Sequence, residues 1–537
     1  MPGSVFLILS GTYVGPELIS EFGLLPPCFL PNGTKRLFED QIALGRSLAE
    51  HIAVLLPSDF AVPAPDATRL EAERVQVLRT DRAKTVSEGL ADALAALEHD
   101  GRLMVLFGDT LVAYGSPGSQ PETFASGWTR HLARWADYTQ DGDRTVFGES
   151  VQADGERREV VAGFFDFADA ARLRNLAAQH SGFVALLNAY ASDRSFAPVH
   201  AERWLDFGHL HTYYWSRRTE LAARAFNQVK ADGLIIRKTG TPPRKIFAEA
   251  SWFENLPVRL RPFVPHLIDV HRDAQVTYEL EYLHLPVLSE LYCFASLPSA
   301  LWLNILTSCR EFLELCQAVR PASFETAPDF HHRFFDDMFH GKTLQRLETF
   351  ARSTGLSLDE EWTFNGRPVP SLRGMADRML SAIKPSTKDD ICIWHGDFHF
   401  ANILYDFRSQ RVKVVDPRGM LSDGTITMFG DARYDISKLV HSVVGMYDSV
   451  LAGRYILDYD RGYRIDLRFH PDEQRDRLIS DFRSFRIGSY ACCDAQMIAM
   501  TSLLFLTMLP LHANDPERQF ALLANGIRLA AMAEDLG

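Results

Sequence analysis

Three short apolar runs constrain this chain most. VFLILS (5–10), IAVLLP (52–57) and LMVLFG (103–108) read as buried strands. Before the third of them, TVSEGLADALAALEH (85–99) repeats its apolar residues at helical spacing. Alternation of strand and helix over roughly the first 215 residues predicts a mainly parallel α/β sheet. In such sheets ligands sit at the carboxyl ends of the strands.

The rhythm changes near Arg218. FNQVKAD and GLIIRKTG have the pattern of a hairpin, RKIFAEASWFENL (244–256) that of a helix, and VTYELEYL (276–283) that of another strand. After Pro286 the pattern is mostly helical, interrupted by IWHGDFHFANILYDF (393–407) and VKVVDPRG (412–419). The expected organisation is an α/β domain over 1–217 and an α+β domain over 218–537. The second divides into a small sheet-containing lobe (about 218–285) and a helical lobe (about 286–537). A length of 537 residues suits this, at ~100–200 residues per domain.

Charge and cysteine usage narrow the function. The net charge of −13, without a large basic block, speaks against a nucleic-acid groove or an anionic membrane surface as partner. Seven scattered cysteines with no CxxC pair suggest reduced thiols in a cytoplasm. MPGSVFLILSG has no basic leader region, and its apolar run is short for a signal peptide. The stretch near Ile498–Leu511 contains Thr501, Ser502, Thr507 and Pro510 and is short of the ~20 residues that cross a bilayer. A buried helix is expected there, and no membrane insertion.

The polar residues of 393–407 carry the chemistry. Asp397 and Asn402 are five apart, and Asp416 follows Asp397 by nineteen, at the end of the apolar VKVV. Strand, turn and strand would bring the two segments side by side. Phosphoryl transfer needs this set of groups: one carboxylate orients the attacking hydroxyl, and an amide and a second carboxylate hold Mg²⁺ on the nucleotide phosphates. The metal offsets charge developing on the phosphate oxygens. A second candidate, HRD at His271–Asp273, has Tyr278 where an asparagine is required and reads as a surface turn.

HGDxxxxN with a downstream aspartate, followed by GDARYDISKL (430–439), resembles the aminoglycoside phosphotransferase and choline kinase family. The resemblance implies a bilobal protein-kinase-like fold using ATP and Mg²⁺. Asp397 would be the catalytic base, His395 would brace its loop, Asn402 and Asp416 would hold Mg²⁺, and Asp435 would support the loop. From the small lobe, Lys238 would reach the α/β-phosphates and Glu249 would hold it. Arg237 is the alternative, since neighbouring strand residues face opposite sides. Asn227 resembles the asparagine of the family's nucleotide loop, and Leu280–Leu283 would be the adenine hinge. Acceptor contacts are expected after Asp435, with His441, Tyr447 and Arg454 as candidates.

In the first domain LFGDTL (106–111), VVAGFFDF (160–167) and WLDFGH (204–209) resemble the nucleotidyltransferases that join a sugar phosphate to a nucleoside triphosphate. That implies Mg²⁺ shared by Asp109 and Asp206, with CTP or another triphosphate as substrate. The chain departs from this family at its first turn. The family carries an arginine in a glycine-rich turn, where backbone N–H groups reach the phosphates, and then a proline–lysine step. Here Gly11 and Gly15 remain, no arginine follows closely, and Pro27 stands in the lysine's place. Lys35 and Arg36 are candidate substitutes, so an active transferase and a nucleotide-sugar-like binding or scaffolding domain both stay open. His209 and His211, on an expected strand with Tyr213, Tyr214 and Trp215 after them, suggest a polar edge beside a pocket rather than a metal cluster.

Three functions compete at this level. One is an ATP-dependent kinase of a small hydroxyl compound (sugar, choline-like or amino alcohol) joined to a nucleotidyltransferase-like domain, supplying activated building blocks for surface polysaccharide. The second is an antibiotic-type phosphotransferase with an unrelated appendage. The third is a non-catalytic binding protein built from two degenerate enzyme domains.

Overall fold

The chain divides into two compact units, Met1–Glu220 with Phe294–Ser296, and Leu221–Cys293 with Leu297–Gly537. The computed structural model describes residues 3–81, 85–113, 122–142, 144–151, 156–224, 229–232, 234–272, 276–321, 329–460 and 462–537.

The first unit is built on a seven-stranded sheet. Val5–Leu9 lies between His51–Pro57 and Leu103–Phe107, parallel to both, and Gln76–Thr80 adds a further parallel strand. Every residue of Val5–Leu9 is buried, which is why the run is continuously apolar. The other half of the sheet is mixed. Arg158–Phe167 runs antiparallel between Leu103–Phe107 and Thr123–Thr129, and Ala197–His200 closes the edge parallel to Thr123–Thr129. Leu7, Leu9, Val105, Phe124 and Phe165 belong to the core on this sheet. Helix Val86–Leu97 begins at Thr85, whose hydroxyl accepts from Glu88 N while the Glu88 carboxylate accepts from Thr85 N at 2.8 Å.

One local expectation is corrected here. His209 and His211 are not alternate residues of a strand. The strand Arg203–Asp206 pairs antiparallel with Thr110–Ala113 and stops there, and helix Leu210–Arg224 begins four residues after Asp206. Thr212 fixes the turn by donating its hydroxyl to His209 O at 3.0 Å. The two imidazoles stack at 5.7 Å.

The second unit opens with a four-stranded antiparallel sheet in the order Val229–Asp232, Ile235–Thr239, Val276–Glu281, Leu267–Arg272. Helix Pro243–Glu254 packs on it, burying Ile246, Glu249, Trp252 and Phe253. The helical part is organised around Ala432–Val443, Ala495–Met508 and Pro516–Leu536. The segment Ala495–His512 is long and apolar enough to cross a membrane, yet 67 % of it is buried inside the unit. It is a core helix by packing, with Thr501 and Ser502 hydrogen-bonded to the carbonyls of Met497 and Gly526.

The helical part also holds a four-stranded sheet that the reading of mostly helix after Pro286 missed: Arg367–Val369, Trp362–Phe364, Arg464–Phe469, Tyr455–Tyr459. Two of its strands are only three residues long. The alternation in RIDLRF, with Ile465 and Leu467 buried, was the available signal.

Candidate active site

A cavity of about 650 Å³ lies within the second unit. The HGDFHFAN segment reaches it because two small antiparallel strand pairings hold its ends. Ile391–Ile393 pairs with Phe429–Asp431 before it, and Ile403–Asp406 pairs with Arg411–Val414 after it. The second pairing also delivers Asp416, two residues beyond its last strand. Asp416 has φ of 57°, in the left-handed region that a non-glycine residue enters at a cost of about 1–3 kcal/mol. Asp397, Asn402 and Asp416 all line the cavity.

The loop is held from behind. Asp435, buried near the start of helix Ala432–Val443, accepts from His395 N at 2.6 Å and Gly396 N at 2.8 Å. Gly396 has φ of 79°, and an added Cβ would stand 2.6 Å from Arg418 Cβ. His395 is fully buried and does not line the cavity. Its Nδ1 accepts from Asp397 N at 3.3 Å. Burial lowers its pKa to about 4, so the ring is neutral at ordinary pH. It touches the loop rather than any reacting group, and positions Asp397.

Asp397 is held ionised, with its carboxylate able to accept a hydrogen bond from a hydroxyl. Its Oδ1 is 2.9 Å from Lys438 Nζ and its Oδ2 3.5 Å from His399 Nε2. Burial pushes its carboxyl up, but Lys438 and His399 outweigh this and hold it well below the usual carboxylate range. Asn402 donates its amide N–H to Asp397 O at 3.0 Å, and no hydrogen bond to its side-chain oxygen is seen among the described residues. That oxygen and the half-exposed Asp416 carboxylate are hard donors of the kind Mg²⁺ takes, so the residues present fit the metal.

Lys238 ends up beside the same residues. Its Nζ is 2.7 Å from Glu249 Oε2 and 3.0 Å from Asp416 Oδ1. Tyr278 OH donates to the same Glu249 oxygen at 2.8 Å and fixes it. Arg237 faces the other side of the sheet and pairs with Glu279 at 2.6 Å. Strand alternation therefore chooses Lys238 over Arg237. Gly419, with φ of 65°, allows the close packing under Glu249, since a Cβ there would stand 2.2 Å from Ala248 O.

Other sequence candidates fare unevenly. His441 and Tyr447 line the cavity, and Arg454 does not. In the expected adenine hinge, Glu281 N donates to His266 O and Tyr282 N to Leu234 O, so two of its amides are already engaged. Asn227 and Asp273 lie outside the described residues. The sequence reading missed Lys342, Arg346, Arg418 and Lys438, all of which line the cavity. Only Lys438 carried a signal, three residues after Asp435 within GDARYDISKL. Nothing local distinguishes the others from surface charges.

The first unit has a smaller cavity, about 240 Å³, at the carboxyl ends of its parallel strands. Gly11, Thr12, Pro27, Thr80, Asp81 and Asp109 are among its lining residues. Asp109 and Asp206 converge on Gly208, where an added Cβ would be 2.5 Å from Asp109 Oδ2 and 3.5 Å from Asp206 Oδ1. Burial raises the pKa of Asp109. Burial, then the charge of Asp109, raises that of Asp206 to about 7. Asp206 Oδ2 is buried with no hydrogen-bond partner. Two crowded carboxylates and an unsatisfied oxygen fit a divalent cation.

No lysine or arginine lines this cavity among the described residues. Lys35 is paired with Asp40. Arg36 is buried, donating to Phe29 O at 2.6 Å and pairing with Asp66 at 3.1 Å. Neither substitutes for the missing cations, which corrects that expectation. Pro27, by contrast, does line the cavity.

No protein-family model and no curated protein sequence matches the chain. Solved structures similar to it fall into two groups. The inositol-1-phosphate CTP transferase from T. maritima is 12 % identical, covering 42 % of this chain and 98 % of its own, with a TM-score of 0.33. The choline/ethanolamine kinase family protein from Mesorhizobium loti is 13 % identical over 59 % of this chain and 93 % of its own, with a TM-score of 0.32. An aminoglycoside-3′-phosphotransferase of type VIII is 14 % identical over 54 % of this chain and 99 % of its own, with a TM-score of 0.29.

Proposed function

We propose that the second unit is an ATP-dependent phosphotransferase acting on the hydroxyl of a small molecule. One observation carries this reading: Asp397, Asn402, Asp416 and the Lys238–Glu249 pair, drawn from four separate segments, meet around one cavity. Asp397 accepts the proton of the acceptor hydroxyl. The freed oxygen forms its bond to the γ-phosphorus of ATP as the bond to the β,γ-bridging oxygen breaks, and ADP leaves. Lys238 orients the α/β-phosphates, and Glu249 and Tyr278 keep its ammonium in line. Asn402 and Asp416 would hold Mg²⁺, which supplies charge neutralisation on the phosphate oxygens. His395 and Asp435 position the loop.

The test is phosphoryl transfer from radiolabelled ATP, with Mg²⁺, to sugars, choline and amino alcohols. Labelled product that disappears in Asp397→Ala supports the reading. Folded protein that neither binds MgADP nor labels any acceptor overturns it.

For the first unit the crowded Asp109–Asp206 pair favours a metal-dependent nucleotide site. If both units are active, the product of one is the substrate of the other: a new phosphate ester is coupled to a nucleoside triphosphate with release of pyrophosphate. That order would supply activated building blocks for a surface polysaccharide. ATP as substrate and the buried thiols of Cys28, Cys309, Cys316, Cys392 and Cys492 suit a cytoplasmic protein.

A further inference from the structure

The charge around the second unit's cavity is lopsided. Its three lining carboxylates, Glu249, Asp416 and Asp397, each have a lysine within 3.0 Å. Three further cations, Lys342, Arg346 and Arg418, line the same cavity and form no ion pair among the described residues. A chain of contacts ties them to the Asp397–Lys438 pair. Asp397 meets Lys438, and one turn earlier on that helix stands Tyr434. Lys342 Nζ is 3.3 Å from Tyr434 OH. Arg346 lies one turn beyond Lys342 on helix Lys342–Thr354, on the same face. Arg418 Cζ is 5.8 Å from the Tyr434 ring centroid.

This crowding disfavours the charged form of Lys342 in the isolated protein. Burial, with Arg418 and Lys438 nearby, lowers the pKa of Lys342. Burial pushes the Tyr434 phenol up, but Lys342, Arg418 and Lys438 outweigh it and bring it down to about 8. Lys342 and Arg346 have no carboxylate partner among the described residues, whereas for Arg418 burial is outweighed by Tyr434, Asp397, Asp435 and Asp337, which raise its pKa; positive charge left over in this way can receive an anion. A second observation points into the same region. His441 lines the cavity, is fully buried, and has no hydrogen-bond partner at either ring nitrogen. Burial, then Lys438, keeps its pKa well below the usual value, so its ring is neutral. A neutral imidazole there can bond an acceptor hydroxyl.

We infer that the phosphate acceptor is itself an anion, a hydroxyl compound carrying a phosphate or carboxylate that Lys342, Arg346 and Arg418 receive while Asp397 and His441 address its hydroxyl. The inference rests on the phosphotransferase reading and narrows it. Choline-like and polycationic acceptors meet like charge here, a mismatch that specificity by repulsion exploits.

The experiment uses the full chain with MgATP and three sets of probes. The anionic set is glycerol 3-phosphate, glucose 1-phosphate and glycerate, which separates phosphate from carboxylate. The neutral set is glucose and inositol, and the cationic set is choline, ethanolamine and kanamycin. Labelled product is expected from the anionic set alone. Lys342→Gln and Arg346→Gln should each raise the acceptor KM by about 10- to 100-fold, with MgADP affinity within about twofold of the parent. Arg346 is half-exposed, so its variant keeps the test open if Lys342→Gln misfolds. Preferential labelling of neutral or cationic probes overturns the inference and leaves the kinase standing. So does an unchanged KM in both variants. If nothing is labelled, calorimetry on the MgADP-bound chain decides: no binding of any anionic probe overturns the inference alone. No binding of MgADP removes the kinase reading and the inference with it.

Discussion

The two cavities hold carboxylates under opposite conditions. In the second unit every lining carboxylate has a lysine beside it, and positive charge is left over. In the first unit Asp109 lines the cavity and crowds Asp206 beside Gly208, and no lysine or arginine among the described residues lines that cavity. On the proposed reading the former arrangement would receive a phosphate-bearing ligand, and the latter, short of positive charge, would take a divalent cation. Substitutions of acidic residues should therefore have opposite signs in the two units.

The largest effect is expected at Asp397. Asp397→Ala should lower the phosphoryl-transfer rate by about 100- to 10,000-fold, with MgADP affinity little changed in equilibrium titration. A variant within tenfold of the parent would break the comparison at its stronger end. Next comes Lys238→Met, which removes the cation shared by Glu249 and Asp416. It should cost about 10- to 100-fold in kcat/KM for ATP, and steady-state kinetics would show it.

The third prediction has the reverse sign. Asp206 has its pKa raised from 3.8 to about 7. The folded form thus keeps a proton that the unfolded chain has lost. This contributes stability below about pH 4, and the contribution is lost as pH rises through about 7. Asp206→Asn should therefore stabilise the metal-free protein at pH 8 by roughly 1–2 kcal/mol, with little difference at pH 4. Mg²⁺ should raise the melting temperature of the parent at pH 8 and leave the variant unmoved. Equal pH profiles for the two proteins in thermal melts would refute the pairing. The smallest effect is at Thr85, which lines the first cavity but spends its hydroxyl on capping Glu88 N. Thr85→Ala should cost about 1 kcal/mol in chemical denaturation without altering nucleotide affinity. A large loss of nucleotide affinity would show that the Thr85 hydroxyl contacts the nucleotide despite its capping bond, against this prediction.

Much of the fold was legible because its strands are buried on both faces and read as unbroken apolar runs. Val5–Leu9, His51–Pro57 and Leu103–Phe107 were found this way. The hairpin Val229–Asp232 with Ile235–Thr239 showed in its strand pattern. Two other regions hid. Trp362–Phe364 and Arg367–Val369 are too short to show a period. His209 and His211 carried a two-residue spacing that the Phe207–Gly208 turn makes meaningless.

The sequence by itself determined which groups are available: HGDxxxxN, the aspartate nineteen residues on and the GDARYD element bring together, within one stretch of chain, the residues that would serve as base, metal donors and loop support. Only the tertiary structure decided what else faces that chemistry. Lys238 rather than Arg237 meets Asp416 because strand alternation and a helix-borne Glu249 choose it. Lys342, Arg346 and Arg418 become one cationic wall because distant segments bring them to a single cavity. A local pattern fixes a residue's type and neighbours along the chain. Its charge environment belongs to whatever folds against it, and that is a property of long-range packing.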